Sequence, residues 1–137
     1  MMDELIIWLC NYAYDHHVGY ILADDLNPET PSESDGDHQL VVINMKWHNH
    51  DEVPFSYAHE IGHILNGDKG KHEYSANSLD IKEEYQANLR GIDIMLEYAK
   101  QHEIPTNNSI HFCERFGIPT ELEYIVANKL RQTMSKH

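Results

Sequence analysis

Pro54-Phe55-Ser56-Tyr57-Ala58-His59-Glu60-Ile61-Gly62-His63-Ile64-Leu65 is the stretch on which the reading of this chain turns. Pro54 suits the first turn of a helix, where its missing N–H costs nothing. Phe55, Ala58, Ile61, Gly62 and Leu65 then recur as one apolar face, and Gly67 stops the pattern. The spacing predicts a helix over 54–66. His59 and His63 stand four residues apart on a neighbouring face, so both side chains reach one side of that helix. Two imidazoles so placed can grip one metal ion, and Glu60 between them can reach a water there as general base. Gly62 costs about 1 kcal/mol against alanine inside a helix, so it implies close approach of another helix or of substrate. The plainer alternative is two surface histidines and a solvated carboxylate on an amphipathic helix. A third ligand decides between them.

That ligand is expected from the next helix, predicted over 79–102, with Ile81, Tyr85, Leu89, Ile92, Leu96 and Tyr98 or Ala99 on or near its buried side. Lys82-Glu83-Glu84-Tyr85-Gln86-Ala87-Asn88 offers Glu83 and Glu84. Three and seven residues beyond Glu84 lie Ala87 and Gly91, a small-residue strip on which the His59 helix could pack closely. The matching positions from Glu83 are Gln86 and Arg90, which are bulky and polar, so the pattern favours Glu84. Three protein ligands leave a fourth position for water, which marks a catalytic site. Two histidines and one carboxylate suit a single Zn2+ ion with a bound water. No four-ligand Cys/His set is present, so a zinc-finger reading fails.

Outward from these helices, Leu5, Ile6, Leu9, Cys10 and Ala13 recur at helical spacing and predict an N-terminal helix within 1–17, broken by Gly19. Gly19–Ala23 and the β-branched run Leu40–Asn44 read as strands. Asp24–His38, rich in Pro, Ser, Asp and Gly, reads as a loop that is mobile around 32–37, Trp47–Asp51 as a turn, and 67–78 as a polar loop. Asn107 or Asn108 can cap a short helix to Phe116, and Thr120-Glu121-Leu122-Glu123 fits a capping box opening a last helix, together filling 106–135. The expected fold class is α+β. A short sheet of about three strands in 18–53 packs with the helices as one domain over 1–137.

At 137 residues and 41% apolar composition the chain can bury one modest core. No apolar run approaches a membrane span, and the acidic start Met1-Met2-Asp3-Glu4 is wrong for a signal peptide, so a cytoplasmic location is expected. Cys10 and Cys113 lie far apart and are expected as free thiols. The net charge of −13 repels phosphate backbones, which argues against direct nucleic-acid binding but allows docking on a basic DNA-binding protein.

With Val42-Ile43-Asn44, the 54–65 run and Glu84-Tyr85-Gln86-Ala87-Asn88 in place, the chain resembles the ImmA/IrrE family of metallopeptidases over about residues 18 to 98. A weaker likeness continues through Phe116-Gly117-Ile118-Pro119. The family pattern is a strand, an H-E-x-x-H helix and an E-x-x-A-N helix. Where members often continue with Phe-Ala, this chain has Leu89-Arg90-Gly91. The resemblance implies a compact zincin-like domain of the gluzincin type, with His59, His63 and Glu84 as metal ligands and Glu60 as the base. It further implies an intracellular endopeptidase that cleaves or inactivates a helix-turn-helix repressor, relieving repression of phage, mobile-element or stress genes. The chain would be a minimal catalytic unit of prophage or mobile-element type.

Tyr57, His72, Tyr74 and His48 are candidates for stabilising the oxyanion. The strand Leu40–Asn44, placed at a sheet edge, could pair with an extended substrate. The competing reading is a non-proteolytic anti-repressor or antitoxin-like module that sequesters its partner and keeps a structural or vestigial metal site.

Overall fold

A computed structural model describes residues 2–74 and 81–135. The end of the expected polar loop, at 75–78, and the expected helix start at 79 and 80 lie outside the described residues. Among the described residues five helices and a four-stranded sheet alternate as an α+β fold. Helix α1 (Met2–Asp15) buries Leu5, Ile6, Leu9 and Ala13 along one side. It ends earlier than Gly19. His17 takes a left-handed φ of 62°, and Val18 N–H returns to Ala13 C=O at 2.8 Å, a Schellman-type stop. Gly19 instead opens strand β1 (Gly19–Ala23).

β1 pairs in parallel with β3 (Leu40–Asn44), Gly19 opposite Leu40 and Ala23 opposite Asn44. Two further strands fall where loops were expected. β2 (Glu33–Asp35) lies antiparallel to β3, and β4 (Lys71–Glu73) lies antiparallel to β2. The order is β1-β3-β2-β4, so Leu40–Asn44 is an interior strand and has no free edge to offer a substrate. Asn44 secures the 24–33 segment: its side-chain amide donates to the carbonyls of Asn27 and Thr30, and its backbone N–H donates to Ser32 Oγ.

After a 3-10 turn at His50–Glu52, helix α2 (Val53–Leu65) crosses the sheet with Pro54 in its first turn. Every residue from Val53 to His63 is buried, polar ones included. An amphipathic surface helix was the simpler expectation; α2 instead lies between α1, the sheet and α3 (Ile81–Gln101). The α2–α3 seam is close. A Cβ on Gly62 would lie 2.9 Å from Ala87 O, and one on Gly91 would lie 3.3 Å from His59 N. The strip of Ala87 and Gly91 therefore faces α2 as the spacing predicts. Tyr85 is 42% exposed, so the buried stripe of α3 runs through Ala87, Ile94, Met95 and Tyr98.

Asn108 caps α4 (Ser109–Phe116) by accepting from His111 N–H, and Gly117, at φ 70°, ends it. The predicted capping box at Thr120 does not form. Thr120–Leu122 is a 3-10 turn, α5 runs Glu123–Ser135, and the Glu123 carboxylate accepts from the Ser109 hydroxyl instead. Cys10 and Cys113 are free thiols. No helix among the described residues is long and apolar enough to cross a membrane.

Candidate metal centre

His59 and His63 leave α2 one turn apart, with their rings 4.8 Å apart and edge to face. Both are fully enclosed by the α2–α3 seam and the sheet. The first turn of α3 brings in Glu84, whose carboxylate spans the pair: Oε1 lies 2.9 Å from His59 Nε2 and Oε2 lies 2.9 Å from His63 Nε2. Glu83, its sequence neighbour, is half-buried at the rim, 3.9 Å from His72.

The far side of each ring fixes its tautomer. His59 Nδ1 is 2.7 Å from Asn88 Oδ1, and His63 Nδ1 is 2.8 Å from Asp68 Oδ2. Both partners are acceptors, so each Nδ1 carries the proton and each Nε2 turns a bare lone pair inward. Those lone pairs meet a carboxylate oxygen, an arrangement that repels itself unless a cation or extra protons lie between. His63 Nε2 makes no hydrogen bond of proper direction although Glu84 is near. Two inward imidazole nitrogens and a carboxylate, each imidazole held by an outer partner, fit a divalent metal ion.

For His59 the electrostatics agree. Burial lowers the pKa of His59, opposed by its contact with Glu84, which leaves a neutral ring suited to ligation. Burial also disfavours charge on His63, but the nearby carboxylates of Glu84 and Asp68 outweigh it and raise its pKa. Glu84 is partly desolvated, yet the two imidazoles pull it down to about 2.

Glu60 points from α2 toward the sheet. It is fully buried, and neither carboxylate oxygen has a hydrogen-bond partner among the described residues. Burial first, and the Glu84 charge second, push its pKa well above the ordinary 4.5. Ser34 of β2 opposes that shift from close by, without a bond of proper geometry. The nearest donor atoms of His59, Glu60 and His63 all lie within 4.8 Å of one another. A buried carboxylate at a cluster of ligand atoms, with no hydrogen-bond partner among the described residues, carries a desolvation cost that its packing does not offset.

Of the four oxyanion candidates, the structure brings two to this centre. Both come from β4 and the residue after it. His72 stacks on His63 with ring centroids 4.3 Å apart and sets Nδ1 3.3 Å from Glu84 Oε2. Tyr74 meets His59 edge to face at 5.4 Å. Tyr57 points the other way, its hydroxyl 3.3 Å from Cys10 Sγ on α1, and His48 is exposed beside Glu29 and Pro28. Sequence reasoning missed Asn88 and Asp68 as outer partners. Asn88 lies four residues after Glu84 on the same helical face, a signal that the spacing carries. Asp68 reaches His63 only because the chain turns back after α2, with Asp68 N–H on His63 C=O at 3.1 Å.

No curated protein and no solved structure matches this chain significantly. The profile of the peptidase M78 family, described as the IrrE N-terminal-like domain, matches residues 15–128 and so takes in α2, α3, all four strands and the whole His–Glu cluster. With that span and this geometry together, the chain belongs to the IrrE N-terminal-like family of metallopeptidases.

Proposed function

We propose that the protein is a zinc-dependent endopeptidase whose substrate is a helix-turn-helix repressor encoded with it, and that cleavage relieves repression of phage, mobile-element or stress genes in the cytoplasm. In this reading His59, His63 and Glu84 hold one Zn2+ and Glu60 is the general base. The observation that carries it is the inward pair of His59 and His63 Nε2 atoms, each 2.9 Å from Glu84 and each on a ring whose Nδ1 meets an outer acceptor. A bound Zn2+ supplies Lewis-acid activation of water and of the scissile carbonyl.

The chain's own residues do the rest. Asn88 and Asp68 hold the two imidazoles in the ligating tautomer. Glu60 takes a proton from the attacking water and returns it to the leaving amine nitrogen. Its raised pKa suits both transfers better than an ordinary carboxylate would. Tyr74, which meets the His59 ring, and His72, which approaches Glu84, would be the donors to charge developing on the carbonyl oxygen. With β3 interior, β4 is the sheet edge beside the centre, and an extended substrate segment would lie along it.

Co-expression with the neighbouring repressor tests the reading. Wild-type protein should cut it, and Glu60→Gln should leave it whole while zinc content in the purified protein is unchanged. Continued cutting by Glu60→Gln would remove Glu60 as base. His59→Ala should lose zinc by elemental analysis, and full occupancy would remove His59 from the ligand set. A repressor bound but never cut by the wild-type protein would favour the sequestering alternative.

A further inference from the structure

A groove of about 680 Å3 lies between the 3-10 turn at 50–52 and the segment from α4 into α5. Its floor is apolar: Cys113 and Ile118 are buried there, and Ile110 stands at the rim 60% exposed. Its walls carry five carboxylates, Asp51, Glu52, Glu114, Glu121 and Glu123, and among the described residues no lysine, arginine or histidine lines it. Glu52 accepts from the Trp47 indole and Glu123 from the Ser109 hydroxyl, both neutral donors. The two walls are pressed together at Gly117, where a Cβ would lie 1.7 Å from Asp51 O. An apolar slot between like charges, lined by no cation of the described chain, is complementary to a segment bringing both an apolar side chain and positive charge.

The groove opens at the head of the ligand-bearing helix: Glu52 of its wall is the N-cap residue of α2, which carries His59 and Glu60 about two turns further on.

We propose that this groove is the docking subsite for the polypeptide that the centre cuts, and that it takes a segment with an apolar anchor flanked by lysine or arginine. The assignment rests on the peptidase reading for the word substrate, but the binding itself does not require turnover. It suits a chain of net charge −13 acting on a basic, DNA-binding partner: the attraction is focused at one slot at the head of the helix that carries His59 and Glu60.

The test uses the full chain, zinc-loaded and carrying Glu60→Gln, with a fluorescein-labelled peptide of alternating leucine and lysine followed by anisotropy at about 150 mM salt. Glu114 and Glu121 are exposed, so replacing both by lysine should fold normally and retain zinc. That pair should weaken binding by roughly tenfold or more. Asp24→Lys with Asp25→Lys makes the same change in net charge on an exposed loop away from the groove, and should weaken binding by less than about twofold. Equal weakening by the two pairs, or none by the groove pair, would overturn the proposal. Cleavage is read separately: a repressor bound through the groove but never cut by wild-type protein removes the peptidase reading and leaves the subsite, while a repressor cut equally well by the groove pair does the reverse.

Discussion

Glu60 carries an opposition that a single substitution can measure. Its carboxylate is enclosed, has no hydrogen-bond partner among the described residues, and sits near the Glu84 charge. In the metal-free protein its folded pKa lies above the unfolded value of 4.5. The folded state then holds a proton that the unfolded state has released, so stability falls as pH rises above about 4.5. Glu84 works in the opposite sense and in another window. Held down at about 2, it contributes stability above its ordinary value that is lost as pH falls toward 2. His63, raised above 6.5, adds stability at low pH that fades as pH rises through its folded value. Replacing Glu60 by glutamine removes only the Glu60 part. Under chelation, Glu60→Gln should melt higher than wild type at pH 8, and the gap should shrink steadily toward pH 5. A gap that is constant across that range would show that Glu60 does not titrate differently on folding.

The two ligand-bearing helices owe their fit to what is missing between them. A methyl on Gly62 would lie 2.9 Å from the Ala87 carbonyl oxygen and 3.2 Å from Arg90 Cβ, and the first of these is backbone that cannot rotate aside. Alanine gains about 1 kcal/mol of helix propensity, while overpacking costs about 1–3 kcal/mol. Gly62→Ala should therefore lower the stability of the metal-free protein by up to about 2 kcal/mol in urea unfolding. It should also weaken zinc binding, because Glu84 and Asn88 ride on the helix that is pushed away. A more stable Gly62→Ala protein would mean the seam opens without cost. This seam is legible in the amino-acid sequence, since Glu84, Ala87 and Gly91 repeat at helical spacing and Gly62 is a glycine where alanine would be favoured. The strands β2 and β4 are not legible there. Glu33-Ser34-Asp35 and Lys71-His72-Glu73 contain none of the strand-favouring Val, Ile, Thr, Phe, Tyr or Trp, and each is three residues long. Only the ladder β3-β2-β4 makes them strands, so His72 arrives at the centre through tertiary pairing that local sequence does not encode. The capping box fails for a related reason: Glu123 is drawn to Ser109 of α4 and is no longer free to reach back.

Across the whole molecule, the metal centre is also a folding constraint. His59 and His63 come from α2, Glu84 and Asn88 from α3, and Asp68 from the turn behind α2, so these partners converge only when the two helices are packed. The unfolded chain has no such site. A ligand that binds the folded state alone stabilises it by about 2.7 kcal/mol at a free concentration one hundred times its Kd. For a chain of 137 residues that corresponds to a rise in Tm of roughly 10 °C. Zinc should therefore raise the melting temperature of the chelated protein by about this much, and the rise should grow with the logarithm of free zinc. His63→Ala should abolish the rise. Asp68→Asn should reduce it, since an amide can still accept from Nδ1 but withdraws the negative charge that strengthens the imidazole as a ligand. The groove substitutions at Glu114 and Glu121 touch no part of this set and should leave the rise intact. Eleven histidines make weak metal binding elsewhere on the chain easy, and that is why the melting shift discriminates. Adventitious surface binding persists in His63→Ala and in the unfolded state alike, so a zinc-induced rise that survives His63→Ala would place the stabilising ion outside the α2–α3 seam.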